Sequence, residues 1–129
     1  LIDGEGGRLL KILGDGVLAV FPTTIHALDF AIALQDDAGH HRLSVRVGVH
    51  VGLIRYDGTE ATGTTIDIAK RICDHPVPFP IRLSERAKDD IDTERAARHA
   101  ALEWKLSRHC DLKGIEKPLN LWFAKPKEE

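Results

Sequence analysis

One alternating run, residues 43–54, constrains the fold of this chain more than any other feature. Every second position from 43 to 53 is a branched apolar residue: Leu43, Val45, Val47, Val49, Val51 and Leu53. Because successive side chains of a strand point to opposite faces, the run predicts one long strand with an apolar face. Its other face carries Gly48 and Gly52, so we expect another element to pack closely against it.

Shorter segments on both sides complete an alternating order of strands and helices. Gly14 and Asp15 separate two apolar runs and predict a hairpin turn. A threonine before the first helix and Ser84 before the third are suited to N-capping, and residues 36–41 predict a polar loop. The order β-β-α-β-α-β-α-β-β predicts an α/β (α+β) sandwich with a largely antiparallel or mixed sheet. The strands are predicted at 8–13, 16–21, 43–54, 81–84, 102–112 and 119–124, and the helices at 25–35, 64–74 and 85–91.

The composition is typical of a globular domain and indicates which kinds of binding partner to expect. The chain has 129 residues, a single domain by length, with 43% hydrophobic and 29% charged residues. Its net charge of −2 and aromatic content of 5% favour no nucleic-acid partner. No apolar run approaches the roughly 20 residues that cross a bilayer, so we expect no membrane contact from this domain. The chain has no methionine, even at position 1, and we expect it to begin partway through a longer gene product.

The cysteines and histidines predict no zinc site. Cys73 and Cys110 are far apart and fit no zinc-ligand spacing, and the seven histidines are scattered. We expect free, reduced thiols and a cytoplasmic location, because the N-terminus also lacks the layout of a secretory signal.

Two polar residues in the first predicted hairpin are candidate functional-site residues. The segment 11–21 reads KILGDGVLAVF, with Lys11 among apolar residues and Asp15 in the turn. A turn carboxylate is a hard oxygen ligand of the kind that Mg²⁺ binds together with substrate phosphates. Each residue also has a structural interpretation, since aspartate is common in turns and lysine extends its charged end to solvent.

The second predicted helix carries another candidate pair. Asp67 and Arg71 are four residues apart and therefore share one helical face. Such a pair is ordinarily a surface ion pair. In the alternative interpretation Arg71 presents its planar guanidinium to a phosphate, and Gly63 before the helix lets a ligand approach the backbone.

Four segments in the same order resemble the class III nucleotidyl cyclases, the adenylyl and guanylyl cyclase family. KILGDGVLAVF resembles the metal-binding hairpin of that family, and VRVGVHVGLI at 45–54 resembles its core strand with the R-x-G-x-H-x-G pattern. GTTIDIAKRI resembles the G-x-x-V-N-x-A-x-R helix, and HCDLKGIEKPLNLW resembles the closing hairpin. Together these segments extend from about residue 8 to residue 124, nearly the whole chain.

The resemblance implies a ferredoxin-like βαββαβ sandwich with a mainly antiparallel sheet, working as a head-to-tail homodimer with active sites at the interface. It implies a bacterial-type adenylate cyclase in signal transduction, which converts ATP to 3′,5′-cyclic AMP and pyrophosphate with Mg²⁺ or Mn²⁺. Lys11 and Glu60 match the pair that recognises adenine, and Asp15 matches one of two metal-binding aspartates. Arg71 matches the arginine at the α-phosphate, and Asp67 stands at the position of the catalytic asparagine. Lys11 and Asp15 then serve different sites of the dimer.

The chain also departs from the family pattern. Nothing matches the first metal-binding aspartate, so residues 1–129 are expected to be an N-terminally incomplete catalytic domain with little or no activity alone. Asp67 replaces an asparagine, which brings negative charge near a triphosphate, and Ile115 stands where a second lysine sometimes follows the L-K-G segment. Loss of the first strand predicts exposed apolar surface, and with it either strong dimerisation or a missing preceding segment.

These departures leave a second hypothesis open. The chain then belongs to a catalytically inactive cyclase-homology module that dimerises or binds nucleotide to regulate attached domains. A third interpretation is an unrelated α/β domain with coincidental motifs, and a structure in which Lys11 and Arg71 do not line the same interface cleft would favour it.

Overall fold

The computed structural model describes residues 2–13, 16–57, 60–94 and 102–127. A short 3-10 turn at Asp3–Glu5 precedes the first strand. The elements that follow are β1 (Arg8–Leu13), β2 (Gly16–Val20), α1 (Thr24–His40), β3 (Val47–Val49), β4 (Arg55–Asp57), β5 (Glu60–Thr62), α2 (Thr64–Asp74), β6 (Ile81–Ser84), α3 (Glu85–Glu94), β7 (Leu102–Cys110) and β8 (Leu119–Pro126).

A four-stranded sheet forms the centre of the fold, in the order β3-β6-β8-β7. β3 pairs with β6 in parallel, whereas β6 and β7 both pair with β8 antiparallel. Most pairings in this sheet are therefore antiparallel, and the domain is a small α+β sandwich as predicted.

The two faces of this sheet carry separate apolar clusters. One cluster joins α1 and α3 to the sheet, with Leu28 and Leu83 fully buried. The other joins α2 to the β7–β8 hairpin, with Ile72 and Leu121 fully buried. Because side chains alternate along a strand, α2 lies on the face opposite α1 and α3.

The predicted hairpin at residues 8–20 is confirmed. β1 and β2 pair antiparallel, with Leu13 opposite Gly16, and form a two-stranded sheet of their own. Several of its apolar side chains face solvent: Leu9, Ile12 and Val17 are 46%, 74% and 51% exposed. Among the described strands, neither β1 nor β2 pairs with a strand of the four-stranded sheet.

The first helix is longer than the sequence predicts. Thr23 caps it by accepting a hydrogen bond from the His26 amide at 3.2 Å. The loop predicted at residues 36–41 is wrong, because α1 continues to His40. Ala38 is buried while its charged neighbours face solvent, so the polar residues form the exposed side of one more amphipathic turn.

The prediction of one long strand at residues 43–54 is also wrong, because the observed strand is much shorter. Only Val47–Val49 pair with a neighbour, and Leu43 and Leu53 are 65% and 94% exposed. The close approach predicted for its small face is confirmed. A Cβ added at Gly48 would lie 2.6 Å from the Cys73 amide nitrogen. The backbone of α2 therefore packs directly on β3.

The remaining elements agree closely with prediction. α2 occupies residues 64–74 and β6 residues 81–84, as predicted. Ser84 Oγ accepts a hydrogen bond from the Ala87 amide and caps α3, which extends three residues further than predicted. β7 and β8 form the predicted C-terminal hairpin. The short hairpin β4–β5 was not predicted.

Candidate functional site

The candidate site is built around α2, which is held against the sheet along its length. At its first turn, Thr65 Oγ1 donates a hydrogen bond to the Leu53 carbonyl at 2.6 Å, directly over Gly52. In the middle, Gly48 admits the helix backbone at Ala69 and Cys73. The opposite side of the helix is left free to present side chains.

Asp67 and Arg71 lie on that free side, as their spacing predicts. Asp67 is exposed and Arg71 is half-buried. Among the described residues, neither side chain forms a hydrogen bond or an ion pair, including with each other. The simple surface ion pair is therefore not formed, and the Arg71 guanidinium is available to a ligand.

The turn between β7 and β8 lies beside Arg71. Gly114 adopts a φ of +78° there, a left-handed conformation that side chains disfavour. The Arg71 nitrogens Nε and Nη2 both lie 4.0 Å from the point where a Gly114 side chain would begin. Ile115, at the position of the absent lysine, packs against the apolar cluster around Ile72. The turn therefore lies next to the Arg71 guanidinium, and the Ile115 side chain of this turn points into the apolar core.

Lys11 and Glu60 are exposed on two neighbouring hairpins. Lys11 lies on β1 opposite Leu18, and Glu60 is the first residue of β5. The Arg8 guanidinium stacks over the Tyr56 ring at 5.4 Å and brings the two hairpins together. Among the described residues, no hydrogen bond or ion pair links Lys11 or Glu60 to α2.

Asp15, the predicted metal ligand, lies outside the described residues. Within the described part of the chain, no three His, Cys, Asp or Glu residues gather in a group that would hold a metal ion. The described residues by themselves therefore do not make a metal site.

Two open grooves lie elsewhere on the surface. One, of about 640 Å³, lies along α1 and is lined by Asp29, Asp36 and His40 among others. The second, of about 340 Å³, lies at the start of α1 beside Asp90. Neither groove includes Lys11, Glu60, Asp67 or Arg71.

His50 of the core-strand motif follows β3 and links it to α3. Its Nδ1 lies 2.7 Å from Ser84 Oγ, the hydroxyl that caps α3. Burial lowers the pKa of His50, and the nearby Arg86 guanidinium lowers it further. His50 is thereby favoured in its neutral form and joins two elements rather than facing Arg71.

The two thiols are unpaired, as expected. Cys73 Sγ lies 3.6 Å from the Arg46 carbonyl, and Cys110 Sγ lies 3.3 Å from Ser107 Oγ. Burial raises the pKa of the Cys73 thiol.

None of the described helices is both long and apolar enough to cross a membrane.

Comparisons with known proteins connect the chain to nucleotidyl cyclases. No protein-family model matches it. A Rhizobium meliloti protein named "Putative adenylate cyclase 3" is 28% identical over 142 residues, which cover 99% of this chain and 22% of that protein. The chain spans less than a third of the length of this and the other relatives that it matches.

Solved structures agree with the sequence match. The adenylate/guanylate cyclase/hydrolase from Silicibacter pomeroyi is 25% identical and superposes with a TM-score of 0.79, over 98% of this chain and 77% of that one. An adenylyl cyclase from P. aeruginosa superposes with a TM-score of 0.73 over 97% and 74%, at 16% identity, and so supports the fold alone.

Proposed function

We propose that the chain, a class III nucleotidyl cyclase domain, belongs to a protein that converts ATP into 3′,5′-cyclic AMP and pyrophosphate. The observation that carries the proposal is Arg71, which is half-buried on α2 with its guanidinium beside Gly114 and without an ion-pair partner among the described residues. The sequence match to a protein named as an adenylate cyclase supports the same reaction.

In the proposed reaction Arg71 acts on the α-phosphate. The ribose 3′-hydroxyl gives up its proton to solvent and its oxygen attacks the α-phosphorus. A new P–O bond closes the ring, and the bond from the α-phosphorus to the oxygen that bridges the α- and β-phosphates breaks with release of pyrophosphate. The guanidinium donates hydrogen bonds to the α-phosphate oxygens while charge accumulates on them. Such placed donors are worth several kcal/mol in a transition state.

Lys11 and Glu60 select the base in this proposal. The Lys11 ammonium donates to a ring nitrogen of adenine, and the Glu60 carboxylate accepts from the adenine amino group. Guanine carries a carbonyl where adenine carries that amino group, so Glu60 disfavours it. The exposed positions of both side chains on neighbouring hairpins leave them accessible to a base.

We propose Mg²⁺ or Mn²⁺ as the cofactor, bound by Asp15 together with the triphosphate. A divalent ion of this kind lowers the pKa of a bound hydroxyl and neutralises phosphate charge. The pattern also requires a second carboxylate that no residue of this chain matches, so we expect little or no activity from the 129-residue chain alone.

The exposure of Lys11, Glu60 and Asp67 supports a site completed by a second copy of the chain. We propose a homodimer in which Lys11, Glu60 and Arg71 of one protomer face Asp15 of its partner. We further propose a bacterial signalling enzyme in the cytoplasm, in which attached regulatory domains control this domain.

The proposal is tested by incubating the full-length protein with labelled ATP and, separately, labelled GTP in the presence of Mn²⁺. We expect cyclic AMP from the wild type and a large loss in Arg71→Ala. Arg108→Ala is the matched control, since it removes an exposed arginine from β7. Cyclic GTP as the main product would contradict the roles of Lys11 and Glu60.

Asp67 supports the second candidate, a non-catalytic module that binds nucleotide or dimerises. An ionised carboxylate only accepts hydrogen bonds, whereas asparagine also donates them. If a dimeric full-length protein forms no product from either nucleotide, this regulatory function replaces the enzymatic one.

A further inference from the structure

Arg82 is a charged side chain in the middle of the central sheet and is almost completely buried, with 2% of its surface exposed. Its neighbours on β6, Ile81 and Leu83, belong to the apolar cluster beneath α1 and α3. Because side chains alternate along a strand, Arg82 points to the other face, where α2 packs.

Every nitrogen of the Arg82 guanidinium donates a hydrogen bond to a main-chain carbonyl. Nη1 donates to Cys73 in the last turn of α2. Nε donates to Phe79 at 2.6 Å and Nη2 to Val77 at 3.1 Å, both in the proline-rich connection from α2 to β6. The last carbonyls of a helix have no donor within the helix, so Arg82 joins the end of α2 and the connection to the sheet.

The Arg82 guanidinium is hydrogen-bonded to these carbonyls rather than to a carboxylate. No carboxylate among the described residues lies within 4.0 Å of the guanidinium. Burial lowers the pKa of Arg82, yet arginine keeps its proton in proteins. The carbonyl end of a helix is its negative pole, which favours a cation there. An apolar residue would fill the same place in a buried strand without desolvating a charge.

Arg71 precedes Cys73 by two residues on α2, so the turn that Arg82 holds is also the turn that carries Arg71. We propose that Arg82 is a positioning residue, which fixes the last turn of α2 on the sheet and thereby sets the Arg71 guanidinium beside Gly114. This inference rests on the proposed function, because it assigns Arg82 a part in the reaction through Arg71.

Hydrogen exchange measured by mass spectrometry tests whether Arg82 holds the last turn of α2. This measurement does not require the protein to be enzymatically active. In full-length Arg82→Met we expect faster amide exchange in residues 72–80 and unchanged exchange in α1. Arg108→Met is the matched control, since it removes an exposed arginine from β7. Arg82→Lys keeps the charge but lacks the planar fork, and should show a smaller local increase if Arg82→Met does not fold. Unchanged exchange at 72–80 in a folded variant would overturn the inference.

Steady-state kinetics test whether Arg82 acts on the reaction through Arg71. We expect Arg82→Met to lower kcat by roughly 100-fold, the loss that a displacement of about 1 Å costs a positioned group, with KM for ATP unchanged. In an Arg71→Ala background the same substitution should cost nothing further, since the two residues act as one unit. An equal further loss in that background would mean a purely structural role and would refute the inference. A wild type without activity refutes the proposed function alone, and the exchange measurement still decides whether Arg82 holds α2.

Discussion

The charge at position 67 is the residue-scale feature with the most direct consequence for nucleotide binding. Asp67 is exposed on the same face of α2 as Arg71 and forms no ion pair among the described residues. Its carboxylate is therefore not neutralised by a described neighbour. In the proposed site it would lie near the triphosphate and repel it.

Asp67→Asn is expected to strengthen nucleotide binding. Removal of one exposed negative charge should lower KM for ATP by roughly fivefold, the upper range for an exposed charge pair, and the new amide donor should raise kcat. Steady-state kinetics on the full-length protein measure both constants. Asp74→Asn, at the end of the same helix, is the matched control. An Asp67→Asn protein with a higher KM than wild type would show that the carboxylate is used in binding.

At the scale of elements, the site depends on how closely α2 approaches β3. Gly48 is the contact point, since a Cβ there would lie 2.6 Å from the Cys73 nitrogen and 2.7 Å from the Ala69 oxygen. Both are backbone atoms of the helix and cannot move independently of it. A side chain at position 48 would therefore push the whole helix outward, and Arg71 with it.

Gly48→Ala should destabilise the fold by about 1–3 kcal/mol, the usual range for an overpacked interior. Gly39→Ala is the matched control, since a Cβ at that helical position meets no atom within 4 Å and should add about 0.5–1 kcal/mol of stability. Chemical denaturation of both variants gives the two free energies of unfolding. A Gly48→Ala protein as stable as the wild type would contradict the close contact between α2 and β3.

At the scale of the whole molecule, the proposed site needs two copies of the chain. Lys11, Glu60 and Asp67 are exposed and Arg71 is half-buried, and neither of the two grooves beside α1 includes them. The β1–β2 hairpin exposes Ile12 and Val17, and among the described strands it pairs with none of the four-stranded sheet. An exposed apolar surface of this kind is typical of an interface.

Complementation between two severely impaired variants tests the shared site. Asp15→Ala and Arg71→Ala should each lose most of the activity and leave a small residual rate, because every site of either homodimer lacks one group. After the two full-length proteins are mixed and exchange subunits, half of the dimers carry one intact site, so about a quarter of the wild-type activity should return. As a control, Glu129→Ala is mixed with Arg71→Ala. The activity of this mixture shows how mixing with an impaired variant changes the rate when no complementation is needed. No recovery in a mixture shown to contain heterodimers would place Asp15 and Arg71 in the same protomer's site.

Local sequence was sufficient wherever one segment settles its own structure. The turn at Gly14-Asp15, the capping residues Thr23 and Ser84, and the amphipathic stripe of α2 each predict an element that the structure contains. The family resemblance was carried by the same local motifs, and the match in fold confirms it. The placement of Asp67 and Arg71 on one helical face followed from helical spacing alone.

Tertiary structure decided whatever depends on a partner distant in sequence. Alternation from Leu43 to Leu53 specifies an extended chain, but only Val47–Val49 find a strand to pair with, in β6. α1 continues past residue 35 because Ala38 has a core to bury itself in. Arg82 looks like an ordinary polar position in the segment IRLS, and only packing shows that it is buried and meets three carbonyls. Hydrogen bonds and burial between distant segments require the folded chain, which is why no local pattern reveals them.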